Sequence, residues 1–455
     1  MAADEVRCAL LGAGTVGTQV ARLLGEHRAD LAARAGAPLR LVSVLVTDRE
    51  RPRPHLAAAL AGLAGTPAAE GAIVTDRPED VWRSAPDVVI EVMGGIEPAR
   101  TLLLAAMAQG AAVVTANKAL LAADGATLHA AAAAAGVDLY FEASVAGAIP
   151  LLRPLRESLA GDRVRRVMGI VNGTTNYILT RMTQGGLDFA TALAAAQRLG
   201  YAEADPSADV DGLDAAAKAA ILAQLAFHTR VTLADVSVVG ITGVTATDIA
   251  NARDLGLVVK LLAIAERVGG DEEEQDGVIV RVHPTLLPAS HPLANVHDAF
   301  NAVFIEAEAA GDLMFYGRGA GGAPTASAVL GDIVAVARNR VRGTTGPGES
   351  TYADLPVLPI DRARTRYQLA LDVLDRPGVL AAVAAVFAAH GVSIEVVRQD
   401  ALPEPGPAVA EARLIVRTHT ARESALAATV AELAGLPTVD RVVSVMRVAG
   451  GAEHR

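Results

Sequence analysis

A chain of 455 residues, 52% of them apolar but with a single Trp, can bury about two or three separate cores, which Ala, Val and Leu must fill by close packing. Its net charge of −11 excludes a general nucleic-acid binder, and its one cysteine excludes an intrachain disulfide framework and any Cys-based zinc cluster. No apolar run approaches the roughly twenty residues of a membrane span, and MAADEVR is too acidic and short for a secretion signal, so a soluble cytoplasmic protein with no membrane partner is expected.

The first strand-like run is VRCALL (6–11), where Cys8 reads as an inert core thiol. GAGTVG follows at 12–17, and VGTQVARLLGEH continues as a helix. Between a strand and a helix, Gly12, Gly14 and Gly17 permit a tight turn and let backbone N–H groups approach a pyrophosphate. A plain strand–helix turn is the alternative. LRLVSVLV reads as a second strand and ends in VLVTDRERPRP. There Asp48 suits the ribose hydroxyls of NAD, whereas Arg49 and Arg51 suit the extra phosphate of NADP, so NADP and NAD both stay open with a lean to NADP. DVVIEV and AAVVTA read as further strands, TLLLAAMAQG and ATLHAAAAAAG as helices. Continuous apolar strands between helices indicate a parallel sheet covered on both faces, a Rossmann-type doubly wound domain over residues 1–140.

Lys118, in TANKALLA, lies just past the carboxyl end of a strand, where open α/β sheets bind ligands. In FEASVAGAIPLL (141–152), small residues expose carbonyls and Glu142 offers a carboxylate, a set that suits a hard cation but equally a structural turn. IVNGTTNYILT (170–180) presents N–H and hydroxyl donors at a helix start, suited to a carboxylate or a ribose, or to simple capping. The rhythm from 141 to 320 is α+β, with strands VRRVMGIV and VIVRVHPTLL, and DEEEQDG (271–277) reads as a solvated loop.

The densest chemistry is GYAEADPSADVDGLDAAAK (200–218). Glu203, Asp205, Asp209, Asp211 and Asp214 precede Lys218, and the apolar AAILAQLAF follows at once. On a helix starting near Gly212, Asp214 and Lys218 share one face. An isolated pair of this spacing is ordinarily a surface ion pair; the acidic, Gly/Pro-shaped approach argues for function. A lysine can protonate a developing alkoxide, carboxylates can bind an ammonium, and the glycine loop brings a hydride donor. These are the parts of an amino-aldehyde reductase.

Residues 343–364, beginning GTTGPGESTYADLPVLP, read as a linker. Residues 365–448 then run β-α-β-β-α-β, a ferredoxin-like pattern. LDRPGVL (374–380) in its first loop resembles that of ACT domains, which often bind amino acids.

GAGTVG, TANKALLA, SVAGAIPLL, IVNGTTNYILT, the 200–218 segment and GRGAGGAPTASAVLGD (317–332) occur here in the order found in homoserine dehydrogenases, and the chain resembles the monofunctional form with a C-terminal ACT domain. The absence of a preceding aspartate kinase domain argues against the bifunctional form. The resemblance implies reversible NAD(P)-dependent interconversion of L-aspartate 4-semialdehyde and L-homoserine, on the route to threonine and methionine. It implies that Lys218 is the proton donor and Lys118 a second catalytic or orienting lysine, also near the cofactor. Glu203, Asp209 and Asp214 would hold the substrate amino group. Gly12, Ala13, Gly14, Thr15, Val16, Gly17, Gly200 and Gly319 would surround the cofactor. Glu142, Val145, Gly147 and Ile149 would hold a sodium ion, with Ala148 standing where the family commonly has glycine. It further implies a central substrate and dimerisation domain over 141–320, a helix at 321–342 returning to the nucleotide domain, a dimer or tetramer, and threonine as an effector at the ACT domain. An amino-acid sensor built on a degenerate dehydrogenase is the non-enzymatic alternative; it predicts loss of Lys118, Lys218 or the glycine loop, all of which are present. A related reductase for another amino aldehyde would alter the acidic segment.

Overall fold

The computed structural model describes residues 5–63, 72–269, 275–401 and 412–450. It divides into two compact units: Met1–Gly173 with Asp214–Ala234 and Ala299–Leu355, and Thr174–Leu213 with Asp235–Asp298 and Pro356–Arg455.

In the first unit the strands Val6–Leu11, Leu39–Leu45, Ile73–Thr75, Val88–Glu91, Ala112–Thr115 and Leu139–Tyr140 form one parallel sheet in the order 3-2-1-4-5-6. This is the doubly wound nucleotide-binding topology. Val6, Cys8, Leu10, Val88 and Ile90 are fully buried, as strands covered on both faces must be. Burial also pushes the Cys8 thiol up to about 12, with Asp87 adding to the effect, so it is an inert core group. The helix Gly322–Arg342 contributes Ala326, Val329 and Ile333 to the same core as Val20 and Leu24 of the helix Thr15–Glu26. Three further strands of this unit, Val164–Ile170, Phe300–Ala307 and Gly311–Arg318, pair antiparallel with one another, Phe300–Ala307 in the middle.

The helix expected at ATLHAAAAAAG is present and follows a kink at Asp124, whose backbone (φ −147°, ψ 31°) is not helical; a short helical segment precedes it from Lys118, where the Asn117 side chain caps it by accepting from Leu120 N at 3.1 Å. Residues 343–355 form no helix or strand, yet they are held down. Gly346 N donates to Asp138 at 2.6 Å, Arg230 pairs with Glu349 at 3.0 Å, and Thr229 donates to the Leu355 carbonyl at 2.7 Å. A Cβ on Gly346 would stand 2.2 Å from the Tyr140 hydroxyl, so this glycine serves a close approach rather than a free tether.

In the second unit the strands Leu257–Val268 and Gly277–Pro288 form a long antiparallel hairpin. Residues 270–274 lie outside the described residues, and most of the expected solvated loop falls there. The C-terminal part has the expected β-α-β-β-α-β order. Its strands Arg364–Val373, Ile394–Ala401, Ala412–Thr418 and Val439–Val448 pair antiparallel in the order 4-1-3-2. The helices Val379–Ala389 and Glu423–Ala434 supply Val383, Phe387, Leu426 and Leu433 to its core. Its last strand also pairs in parallel with Gly277–Pro288, at Thr285–Arg447 and Leu286–Val448.

Candidate active site

The strand Val6–Leu11 ends where Gly12 adopts φ +100°, in the region only glycine enters freely. The helix Thr15–Glu26 then starts with Gly14 at its cap and no side chain bonded to its first N–H groups, which leaves them for a ligand. A Cβ on Gly17 would lie 2.0 Å from the Gly12 carbonyl oxygen, so the third glycine is a packing requirement. A cavity of about 970 Å³ opens beside the loop. Gly12, Ala13, Gly14 and Thr15 line it, with Met93 and Gly94 from the next loop; Val16, Gly17 and Lys118 do not.

Arg51 and Arg53 line the same cavity. Of the residues weighed at the end of the second strand, Asp48 caps Glu50 N at 2.9 Å and Arg49 pairs with Glu50 at 3.1 Å; neither lines the cavity. The cationic side chain missed by sequence reasoning is Arg53, whose Nη1 donates to the Asp48 carbonyl at 2.6 Å.

The helix Leu213–Phe227 is an Ala-rich run with eleven of its fifteen residues buried. Asp214 and Lys218 fall one turn apart on it, and their side chains are 9% and 10% exposed, which rejects a surface pair. Asp214 Oδ2 lies 2.7 Å from Lys218 Nζ, and Oδ1 lies 2.8 Å from Lys118 Nζ. Lys218 Nζ also donates to the Val171 carbonyl at 2.6 Å, and Asn172 Nδ2 donates to Asp214 Oδ2 at 2.8 Å. Burial raises the Asp214 pKa, but the Lys218 and Lys118 ammonium groups outweigh it and hold the carboxyl well below its ordinary range. One carboxylate between two lysines leaves a net positive site, suited to an oxygen that gains negative charge. Asn172 is the partner that sequence reasoning left unassigned, although it stands in the quoted IVNGTTNYILT.

Glu203, Asp209 and Gly200 belong to the second unit. Glu203 is exposed and Asp209 half-buried, while Gly200, at φ +75°, closes the helix Phe189–Arg198 by donating to the Gln197 carbonyl at 3.0 Å. In the first unit, a Cβ on Gly319 would stand 2.0 Å from Asn301 Nδ2, and one on Gly147 2.4 Å from the Gly319 carbonyl oxygen. Gly147 is required by the approach of the Gly319 backbone, and Gly319 by the Asn301 side chain that fills the space of a Cβ.

The Glu142 carboxylate accepts from three backbone N–H groups: Leu151 at 2.5 Å, Leu152 at 2.8 Å and Arg153 at 2.8 Å. This uses about three of its four acceptor directions. A hard cation would therefore draw on the neutral carbonyls of Val145, Gly147 and Ile149, which turn through Ala146 at φ +57° and Gly147 at +54°. Ala148 avoids the left-handed region and donates to the Arg318 carbonyl at 3.2 Å, so its methyl is compatible with the loop.

Comparison with known proteins agrees along the whole chain. The model for the homoserine dehydrogenase NAD-binding domain matches residues 12–142, that for homoserine dehydrogenase matches 150–334, and that for the ACT domain matches 367–438. The homoserine dehydrogenase of Corynebacterium glutamicum is 54% identical over 445 residues, covering 98% of this chain and 96% of that protein. That of Mycobacterium tuberculosis is 54% identical over 457 residues, covering 99% of each. A crystal structure of a homoserine dehydrogenase from Thiobacillus denitrificans superposes with a TM-score of 0.87 at 38% identity, covering 98% of both chains. A hyperthermophilic archaeal homoserine dehydrogenase in complex with NADPH gives 0.61 at 28% identity, covering 76% of this chain and 99% of that one. A glycine-lined cavity, two lysines on one carboxylate and these full-length relatives lead to one conclusion: the chain belongs to the homoserine dehydrogenase family, NAD(P)-dependent oxidoreductases that interconvert L-aspartate 4-semialdehyde and L-homoserine.

Proposed function

We propose that Lys218 delivers the proton to the aldehyde oxygen as it becomes a hydroxyl, that Lys118 binds and polarises the same oxygen, and that Asp214 holds both ammonium groups in place. The observation that carries this is the Asp214 carboxylate within 2.8 Å of both lysines, and Lys218→Ala is its first test. Homoserine turnover should collapse while NADPH titration stays normal. The nicotinamide, when bound, supplies or takes the hydride at the substrate carbon. The glycine loop and the free N–H groups of the helix Thr15–Glu26 hold its pyrophosphate. We assign Asp214 to the lysines because three donors already occupy it, which leaves Glu203 and Asp209 for the substrate ammonium. Glu203→Gln should then raise the homoserine KM more than it lowers kcat.

Arg51 and Arg53, the basic side chains at the cavity, favour NADP over NAD. The carbonyls of Val145, Gly147 and Ile149, with the one acceptor direction left on Glu142, suit a sodium ion that would stiffen the turn. Threonine is the proposed effector at the LDRPGVL loop, in keeping with a product route to threonine and methionine. Point substitution of Asp375 tests this better than truncation, since the ACT strand Val439–Val448 pairs with Gly277–Pro288. The strand Gly311–Arg318 leaves Met314 and Tyr316 exposed on an edge, which fits a homodimer contact that light scattering checks. Among the described residues no helix is long and apolar enough to cross a membrane; the cytoplasm is the proposed location.

A further inference from the structure

Glu91 ends the strand Val88–Glu91 and is fully buried, although a carboxylate in a core is costly unless it is paired or hydrogen-bonded. Three donors use it. Its Oε1 accepts from Met93 N at 2.7 Å and Gly94 N at 3.0 Å, and its Oε2 from the Thr115 hydroxyl at 2.6 Å. Met93 and Gly94 line the cofactor cavity, and Gly94 and Gly95 both turn through φ +75°.

Thr115 is the register partner of Glu91 on the neighbouring parallel strand and is also fully buried. Its oxygen accepts from Asn117 N at 3.0 Å. Asn117 in turn caps the helix that begins at Lys118, and its Nδ2 donates back to the Gly95 carbonyl at 2.6 Å. One closed chain of hydrogen bonds therefore joins the cavity wall to the first residue of the helix carrying Lys118. Leu11, the register partner of Glu91 on its other side, leads directly into Gly12.

We propose that Glu91 is a positioning residue for the reaction: through Thr115 and Asn117 it fixes Lys118 relative to the Met93–Gly94 wall of the cofactor cavity. With three of its roughly four acceptor directions held by fixed donors and no exposure to solvent, Glu91 acts by holding its neighbours in place. Its effect is geometric, and displacement of a reacting group by about 1 Å can cost as much as a hundredfold in rate. The inference rests on the proposed roles of the cavity and of Lys118.

The test uses the full-length protein, with NADPH titrated by fluorescence and homoserine oxidation followed at saturating cofactor. Thr115→Val removes the link between Glu91 Oε2 and Asn117 N and leaves the Met93 and Gly94 bonds to Oε1 in place. It should lower kcat by about tenfold or more with the NADPH Kd within about twofold, and Thr115→Ser, which restores the hydroxyl, should recover most of the rate. Glu91→Gln disturbs both branches and should weaken NADPH as well as lower kcat. If Glu91→Gln does not fold, the Thr115 pair decides alone. A folded Thr115→Val with kcat within twofold of wild type, or a loss that Thr115→Ser fails to recover, overturns the inference. Lys118→Ala run beside them separates the causes. If it is inactive while Thr115→Val is normal, only the coupling is wrong; if it is fully active, the role of Lys118 falls and the coupling with it.

Discussion

Lys218 Nζ lies 2.7 Å from Asp214 Oδ2, one helical turn away, in a setting where both side chains are nearly fully buried. A buried pair is weak evidence for stability, because desolvation offsets its attraction. Its value lies in holding the ammonium at one place. Asp214→Asn should therefore lower kcat by about a hundredfold or more, and Lys218→Met by as much, because general-acid assistance is worth about 10²–10⁴. Steady-state homoserine oxidation checks both; a double variant no worse than either single one would show that the two act as a unit.

Lys118 shares the same carboxylate but is 43% exposed. Its loss should hardly change stability, by about 1 kcal/mol or less, since exposed ion pairs contribute little. Lys118→Ala should nevertheless lower kcat/KM markedly. Thermal melts and kinetics on one preparation separate these effects, and a large fall in melting temperature would contradict the assignment.

The depressed Asp214 pKa fixes a sign. Burial raises it and the two lysines lower it further, so the carboxyl stays ionised well below its usual 3.8. Its contribution to stability is present above about pH 4 and is lost as pH falls through the lower folded value. The stability gap between wild type and Asp214→Asn should be constant from about pH 5 to 8 and narrow only below about pH 4. A gap that changes near pH 6 would refute this ordering.

Gly17 tolerates no side chain, with its notional Cβ 2.0 Å from the Gly12 carbonyl oxygen. Gly17→Ala should push the loop into the cavity and weaken NADPH by about tenfold or more, an effect of roughly 1.4 kcal/mol. Isothermal titration against the folded variant is the measurement.

Arg51 and Arg53 should discriminate between cofactors. Hydrogen bonds to charged groups contribute about 1.5–3 kcal/mol, so removing both arginines should raise the NADPH KM by tenfold or more and leave that for NADH nearly unchanged. An equal effect on both cofactors would mean that the arginines hold something other than the extra phosphate.

Much of this molecule was legible in one dimension. Alternating apolar runs, the glycine spacing after VRCALL and the β-α-β-β-α-β tail are local signals, because the burial of a strand or helix face is written into consecutive residues. The glycine loop and the Asp214–Lys218 spacing belong to this class, whereas the helix Gly322–Arg342 was expected from the family resemblance. The short helical segment that starts at Lys118, before the kink at Asp124, was not read, because its start depends on the Asn117 cap rather than on apolar periodicity.

Sequence by itself determined which chemistry-bearing residues exist and which elements carry them. Only the tertiary structure decided their partners. That Lys118 meets Asp214, that Asn172 joins them, that Arg53 rather than Asp48 faces the cavity and that Glu91 answers Thr115 all depend on which distant strand ends lie side by side. The physical reason is that periodicity reports burial of a face, whereas a hydrogen bond between distant residues is fixed by sheet order and register, which no single stretch of the chain contains.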